Sequence, residues 1–405
     1  MSREKYSLGP DQSQYILVIK EGQMRLKMVM GAVLGLFLFV HAAEADWSAN
    51  QRLTWTSTGT YAPALAVDSK NAIHIVFYDG VPGPAAELYY MRSENGGASW
   101  STAKRLTWNS GESIAPAIAV DSDDAVHVVW ADDTPGDAQV YYRRSTDGGV
   151  TWDPAKRLTW ISGWSECRVI AIARDNTIHV AWHAYVGSPF NGEIYYKRST
   201  DGGTTWSANK RLTFNSGHSL WPAIAMGAGN AVHVVWHDYT PGDHAIFYRR
   251  SSDAGLTWTA TRNLTAALSD AMYPDVTVDS NDAVHLVWEG SSSEIYYKQS
   301  PDGGESWGSI KRLTWTAGLS GQAVVAVDPS QAIHVVWSDN TPGNYELYFK
   351  RSIDGGITWG ASQRLTWTQG GTYAPDMDID SSDTIHIVWQ DDTPGNMEIY
   401  YKKGK

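Results

Sequence analysis

Cysteine is nearly missing: the 405 residues include one, Cys167. A single thiol excludes an intramolecular disulfide and any multi-cysteine metal site. Without an activating neighbour it reads as buried packing, not as a nucleophile. Charged residues are sparse at 19%, and the formal net charge of −12 comes with no basic stripe, which excludes nucleic acid as a partner. Phenylalanine is scarce too, 7 residues against 20 Trp and 21 Tyr. The longest apolar run, residues 28–40, is too short to span a bilayer comfortably, and nothing after it keeps a helical period. What remains is rich in Trp, Tyr and β-branched residues, punctuated by 37 glycines, a composition for many short strands joined by tight turns.

The apolar run follows Arg25 and Lys27 and precedes Ala43-Glu44-Ala45, a small-x-small cleavage pattern. Residues 24–45 therefore read as a complete secretory signal cut after Ala45, with translation expected to start at Met24; an uncleaved signal anchor is the alternative. The expectation is a leader over residues 1–45 and a mature chain over 46–405, secreted or periplasmic, with no membrane contact after signal cleavage.

Internal repetition decides the fold. A motif of Ala or Thr, Ile or Val, then His recurs at His74, His127, His179, His233, His285, His334 and His386, 49 to 54 residues apart. Unit 2 shows the four strand-like pieces of each repeat: Ala117-Ile118-Ala119-Val120, Val126-His127-Val128-Val129-Trp130, Val140-Tyr141-Tyr142-Arg143 and Arg157-Leu158-Thr159-Trp160. Four short antiparallel strands repeated seven times predict an all-β protein, a seven-bladed β-propeller of four-stranded blades. The last unit ends on its third strand. Residues 47–55 resemble residues 206–214, a turn tryptophan with the fourth strand after it. The N-terminal strand is therefore predicted to complete the last blade, leaving no unpaired edge. The motif histidines predict a repeated structural hydrogen bond. Asp68, Asp121, Asp279, Asp328 and Asp380, which end the first strand, predict hairpin caps, with a ring of carboxylates around a cation as the alternative.

Between the third and fourth pieces lies Ser-x-Asp-x-Gly-x-Thr-Trp, complete at residues 145–152, 199–206, 251–258 and 352–359 and varied at 93–100 and 300–307. Asp accepts backbone N–H bonds, Gly permits positive φ, and Trp plugs the hairpin into the blade. The pattern resembles the Asp-box, the bacterial neuraminidase repeat of the sialidase superfamily, over nearly all of residues 46–405. The resemblance implies a propeller with structural turns at one end and ligands, where present, at the other. It does not settle activity.

On that other, top face, the loop frame Trp-x-Asp-x-Thr-Pro-Gly recurs in blades 2, 4, 6 and 7, either as a capped Pro-Gly turn or as a repeated shallow sugar site. Blades 3 and 4 break the pattern. Trp164, Glu166 and Arg168 replace the usual residues before the first strand of blade 3, and its next top loop carries His183, Tyr185 and Phe190. Blade 4 adds His218, Trp221, His237, Tyr239 and His244. These are read either as drifted loops or as a specialised patch. In the second reading Trp164, Tyr185, Trp221 and Tyr239 stack on sugar rings, and Glu166, Arg168, His183 and His237 make polar contacts. Spacing across loops is too loose to assign a metal to His218, His237 and His244. No cofactor, metal or catalytic residue is assigned.

A sialidase resemblance would imply three arginines around a substrate carboxylate. Most arginines here belong instead to the repeats, and the family's Arg-Ile-Pro motif is absent. Only Arg168 breaks the pattern on the top face; Arg174 falls in a bottom turn. Glu166, Asp238, Glu289, Asp339 and Asp392 are the carboxylates for a two-carboxylate hydrolase. The reading is a non-catalytic binding module with a glycan or an extracellular protein as partner. A protein-interaction scaffold and a sialidase-like glycoside hydrolase are the alternatives.

Overall fold

The computed structural model describes residues 46–80, 86–187 and 191–405. The leader, Phe190 and the Arg168 side chain lie outside the described residues. Seven four-stranded antiparallel sheets follow one another along the chain, each ordered first strand to fourth. Each first strand packs against the first strands of both neighbouring blades, blade 7 against blade 1 included, so the ring closes around the innermost strands. Small residues suit that crowding: the first strands of blades 1 and 2 read TYAPALAV over Thr60–Val67 and SIAPAIAV over Ser113–Val120.

Second strands carry the core. Val126–Asp132 is buried at every position, because both faces of this strand meet neighbouring blades. Six of the largest fully buried side chains are Trp130, Trp182, Trp236, Trp288, Trp337 and Trp389, one on each second strand of blades 2 to 7, with Phe77 in their place in blade 1. The fourth strand is shorter than its sequence suggests. Only Lys156–Arg157 pairs in blade 2, because the Val140 N–H then donates to the Thr159 hydroxyl at 2.9 Å and a side chain takes over the ladder.

The predicted closure is present. Gln51 and Arg52 pair with Tyr401 and Tyr400 and supply the fourth strand of blade 7. Trp47 then meets the Phe349 ring of blade 6 edge-on, centroids 5.1 Å apart.

The repeated histidine is a structural relay. In blade 2, His127 Nδ1 meets the Tyr142 hydroxyl at 2.8 Å and Nε2 meets Asp121 Oδ2 at 3.0 Å, while Asp121 Oδ1 accepts the Asp123 and Ala125 N–H groups. Blades 3 and 4 have Ala173 and Gly227 where the aspartate stands, and Nε2 of His179 and of His233 is buried without a partner among the described residues. Burial pushes both imidazoles down to about 4.

The Asp-box joins blade to blade. In blade 2, Ser145 Oγ accepts the Gly149 N–H, Asp147 accepts the Thr151 N–H and hydroxyl, and the Trp152 indole donates to the Gly149 carbonyl. Trp152 packs edge-on against Tyr90 of blade 1 at 5.1 Å. Equivalent Trp–Tyr pairs link Trp206 to Tyr142, Trp258 to Tyr196, Trp307 to Tyr248, Trp359 to Tyr297 and Trp100 to Tyr401.

Candidate functional site

At the end of the ring opposite the Asp-boxes, each first strand bulges shortly after it starts. In six blades the bulge puts one residue in the left-handed region: Ala62, Ala115, Trp221, Tyr273, Gln322 and Ala374, with φ between 47° and 54°. Four of these are alanine or glutamine. Blades 4 and 5 hold large aromatic rings in this costly conformation instead. The bulge also latches neighbours together, since the Ala62 N–H donates to Gln390 Oε1, the Ala374 N–H to Gln322 Oε1 and the Tyr273 N–H to His237 Nδ1.

Around Trp221 and Tyr273 the rings form one continuous strip across blades 3, 4 and 5. His218 meets Tyr185 at 5.9 Å, Tyr185 meets His183 at 5.6 Å, and His183 meets Trp221 at 6.1 Å. Trp221 meets Tyr273 at 5.4 Å, Tyr273 meets His237 at 5.6 Å, His237 meets His244 at 5.2 Å, and His244 meets Tyr239 at 5.1 Å. The two histidines that follow the second-strand tryptophans, His183 and His237, are buried; Tyr239 and Tyr273 are exposed at the surface.

Five of the eight sequence-predicted residues, His183, Tyr185, Trp221, His237 and Tyr239, lie in this strip. Glu166 stands directly across the ladder from His183. Trp164 is exposed, and its carbonyl accepts the Tyr185 N–H at 2.9 Å. Arg168 belongs to the first strand of blade 3, Ser165–Ile172, at its bulge. Tyr273 was not among the expected residues. Its signal is legible when units are compared at the residue before proline, where Ala62, Ala115 and Ala374 give way to Trp221 and Tyr273.

Electrostatically the strip is neutral ground. Burial, with the nearby His244 and His183, pushes His237 down to about 3, so its imidazole is uncharged at neutral pH. Because Nδ1 accepts the Tyr273 N–H at 3.3 Å, the proton sits on Nε2. His218 Nδ1 likewise accepts the Gly192 N–H at 3.0 Å. His244 Nδ1 is buried with no partner among the described residues. Burial and then the Glu166 charge raise the Tyr185 hydroxyl. Among the described residues, no group of three His, Cys, Asp or Glu side chains is placed to hold a metal ion.

The repeat arginines are tied into the ring. Arg92, Arg144, Arg198 and Arg250 each donate to a carbonyl in the next blade's Asp-box. Three of the five candidate carboxylates are occupied as well. Asp238 accepts from Ser219, Asn215 and Trp236, Asp339 from Ser320 and the Thr341 N–H, and Asp392 from the Gly371 N–H. Cys167 is buried in the blade 2–blade 3 core, which raises its thiol to about 12.

No helix among the described residues is long and apolar enough to cross a membrane. Residues 168–401 match the BNR repeat-like domain family. No curated protein matches the chain. Among solved structures, a Dyadobacter fermentans protein of unknown function is similar with a TM-score of 0.58 at 13% identity, over 90% of this chain and 100% of that one. A Hadza microbial sialidase is similar at 0.51 and 15%, over 84% of this chain and 65% of its own length. A polysaccharide lyase, an ulvan lyase solved bound to -[GlcA(1-4)Rha3S]-, is similar at 0.62 and 11%, over 85% and 93%. At these identities the likeness is one of fold. With the family match covering more than half of its length, the chain belongs to the BNR repeat-like domain family, as a sialidase-like seven-bladed β-propeller.

Proposed function

We propose that the protein is an exported, non-catalytic glycan-binding propeller whose ligand lies along the aromatic strip of blades 3 to 5. The observation that carries this reading is the unbroken run of ring contacts from His218 to Tyr239 through Trp221 and Tyr273. Aromatic faces stack on the C–H faces of pyranose rings. The neutral His237 imidazole beside them avoids the desolvation cost of a buried charge. Trp164, Tyr185, Trp221, Tyr239 and Tyr273 are the stacking rings; Glu166, Arg168, His183 and His237 are the polar contacts. The sialidases and the polysaccharide lyase among the structural neighbours support the ligand class.

Binding is favoured over hydrolysis because three of the five candidate carboxylates, Asp238, Asp339 and Asp392, are consumed in the fold's own hydrogen bonds.

A glycan array probed with the full chain and with Trp221→Ala tests the reading. Selective binding that weakens at least about 10-fold in the variant is the expected result for a central aromatic anchor. No glycan bound, or a variant that binds as the parent does, overturns it in favour of a protein partner. Degradation of array sugars by the parent would overturn the non-catalytic part. Export is tested by mass spectrometry of the secreted protein, which should begin at Asp46.

A further inference from the structure

Six rings stand on the outer top rim with most of their surface in solvent: Trp55, Trp108, Trp160, Phe214, Trp315 and Trp367, between 65% and 73% exposed. Each follows an Arg-Leu-Thr segment at the end of a fourth strand. The Leu and Thr of that segment are buried, as Leu158 and Thr159 are in blade 2, so the next side chain is left outside. Exposing one large apolar side chain is ordinary. Exposing one at the same place in six blades, while the residue after it varies among Thr, Asn and Ile, is a repeated construction.

These rings are held in place. The arginine three residues back lies over each ring, at 4.6 Å for Arg211 on Phe214 and up to 5.8 Å for Arg105 on Trp108. Its Nε donates to the carbonyl of the intervening threonine at 2.6 to 2.7 Å. In five blades its Nη2 also pairs with a buried third-strand glutamate: Glu398, Glu87, Glu193, Glu294 or Glu346. One face of each ring is therefore covered by its arginine, whose charge is cancelled in those five blades. Blade 2 has Gln139 at the glutamate position, and Lys350 Nζ also lies 5.8 Å from the Trp315 ring of blade 5. The rest of each ring is a platform held in place. Blade 4 has Asn263 and Ala266 in place of the pair, so the platform is missing from the blade at the centre of the aromatic strip.

We propose that this rim is a second, multivalent binding surface for neutral polysaccharide, each platform stacking one pyranose ring. One ring per blade gives separated platforms and no continuous apolar patch of the kind a protein or membrane partner covers. A net charge of −12 also opposes anionic lipid surfaces. A repeating ligand matches a repeating receptor: each contact is weak, and several made together give avidity. Fixed rings lose little entropy on binding. The rim shares with the strip only the ligand class.

The test compares the full chain with a variant carrying Trp108→Ala, Trp160→Ala, Trp315→Ala and Trp367→Ala. The array carries neutral and acidic polysaccharides at high density and short oligosaccharides at low density. The rim predicts that retention on dense neutral polysaccharide falls about 100-fold or more, as expected when linked contacts are lost. Tyrosine at the same four positions should restore it, which separates lost stacking from lost folding. Low-density oligosaccharide binding should stay as in the parent. Undiminished retention of the alanine variant, or a parent with no preference for density, overturns the rim proposal. Failure of the strip reading looks different: Trp221→Ala would then match the parent on low-density oligosaccharides.

Discussion

His334 stacks on Phe349 at 5.7 Å, and its Nδ1 is buried without a partner among the described residues, because Phe349 stands where the other six blades place a tyrosine whose hydroxyl meets this nitrogen. In blades 1, 2 and 3 that hydroxyl also reaches a carbonyl of the next blade's Asp-box. After Phe349 comes blade 7, whose third and fourth strands are joined by no box because they are the two ends of the chain. The tyrosine is absent where half of its job is absent.

Restoring the hydroxyl should therefore stabilise the ring. Phe349→Tyr gives His334 its missing partner and is expected to add about 1 kcal/mol, the usual net yield of one buried hydrogen bond. Chemical denaturation reads it directly; a lower midpoint would mean that the Trp47 edge contact leaves no space for the oxygen.

Closure by the N-terminal strand makes a second prediction. Deleting residues 46–55 removes the pairing to Tyr400 and Tyr401, the Trp47–Phe349 contact and the Arg52–Glu398 ion pair, and leaves Glu398 buried without its arginine. A loss of several kcal/mol and a marked fall in Tm are expected. A melting temperature equal to the parent's would refute closure.

Glycines in the Asp-box differ from glycines in the top loops. A Cβ on Gly149 would lie 2.1 Å from the Tyr90 hydroxyl, with φ at +87°. On Gly136, at φ +106°, it would meet nothing within 4 Å. Gly149→Ala should cost about 3 kcal/mol, strain and overpacking together, and Gly136→Ala only the backbone part, about 1 kcal/mol. Equal costs for the two would refute the box as an interblade joint.

Asp376, on the innermost strand of blade 7, accepts the Leu65 N–H of blade 1 at 2.7 Å. Enclosure by the ring raises its carboxyl to about 7, with smaller contributions from Asp275 and Asp378. A group whose folded pKa lies above its unfolded value stabilises the fold at low pH and loses that contribution as pH rises through the folded pKa. Relative to Asp376→Asn, which keeps the acceptor, the parent should therefore lose Tm as pH rises from about 4 to about 7. His179 and His233 act in the opposite direction and lower down, from about 6.5 toward 4, because unfolded histidine protonates first. Parallel melting curves for parent and variant across the upper range would contradict the raised carboxyl.

The fold was legible because its determinants are local and repeated: the box turn, the histidine relay and the terminal half-blade each announce themselves within a few residues. The strip was only half legible. His183, Trp221 and His237 stand out as departures from their own repeat, and adjacency of blades 3 and 4 follows from chain order. Tyr273 escaped because its strand otherwise looks ordinary, and its importance comes from a bulge that turns one residue toward the neighbouring blade. The short fourth strand escaped for a similar reason, since a threonine hydroxyl substituting for backbone leaves no mark on propensity.

The Asp46 N–H donates to the Lys405 carbonyl at 3.2 Å, so the two ends of the ring meet at the Asp-box end of blade 7. A bead, tag or surface fused to Lys405 would leave from that side and hold the aromatic strip outward. The ends could also be spliced together and the chain reopened in another box turn, giving circular permutants with the same seven sheets and a different blade at the seam.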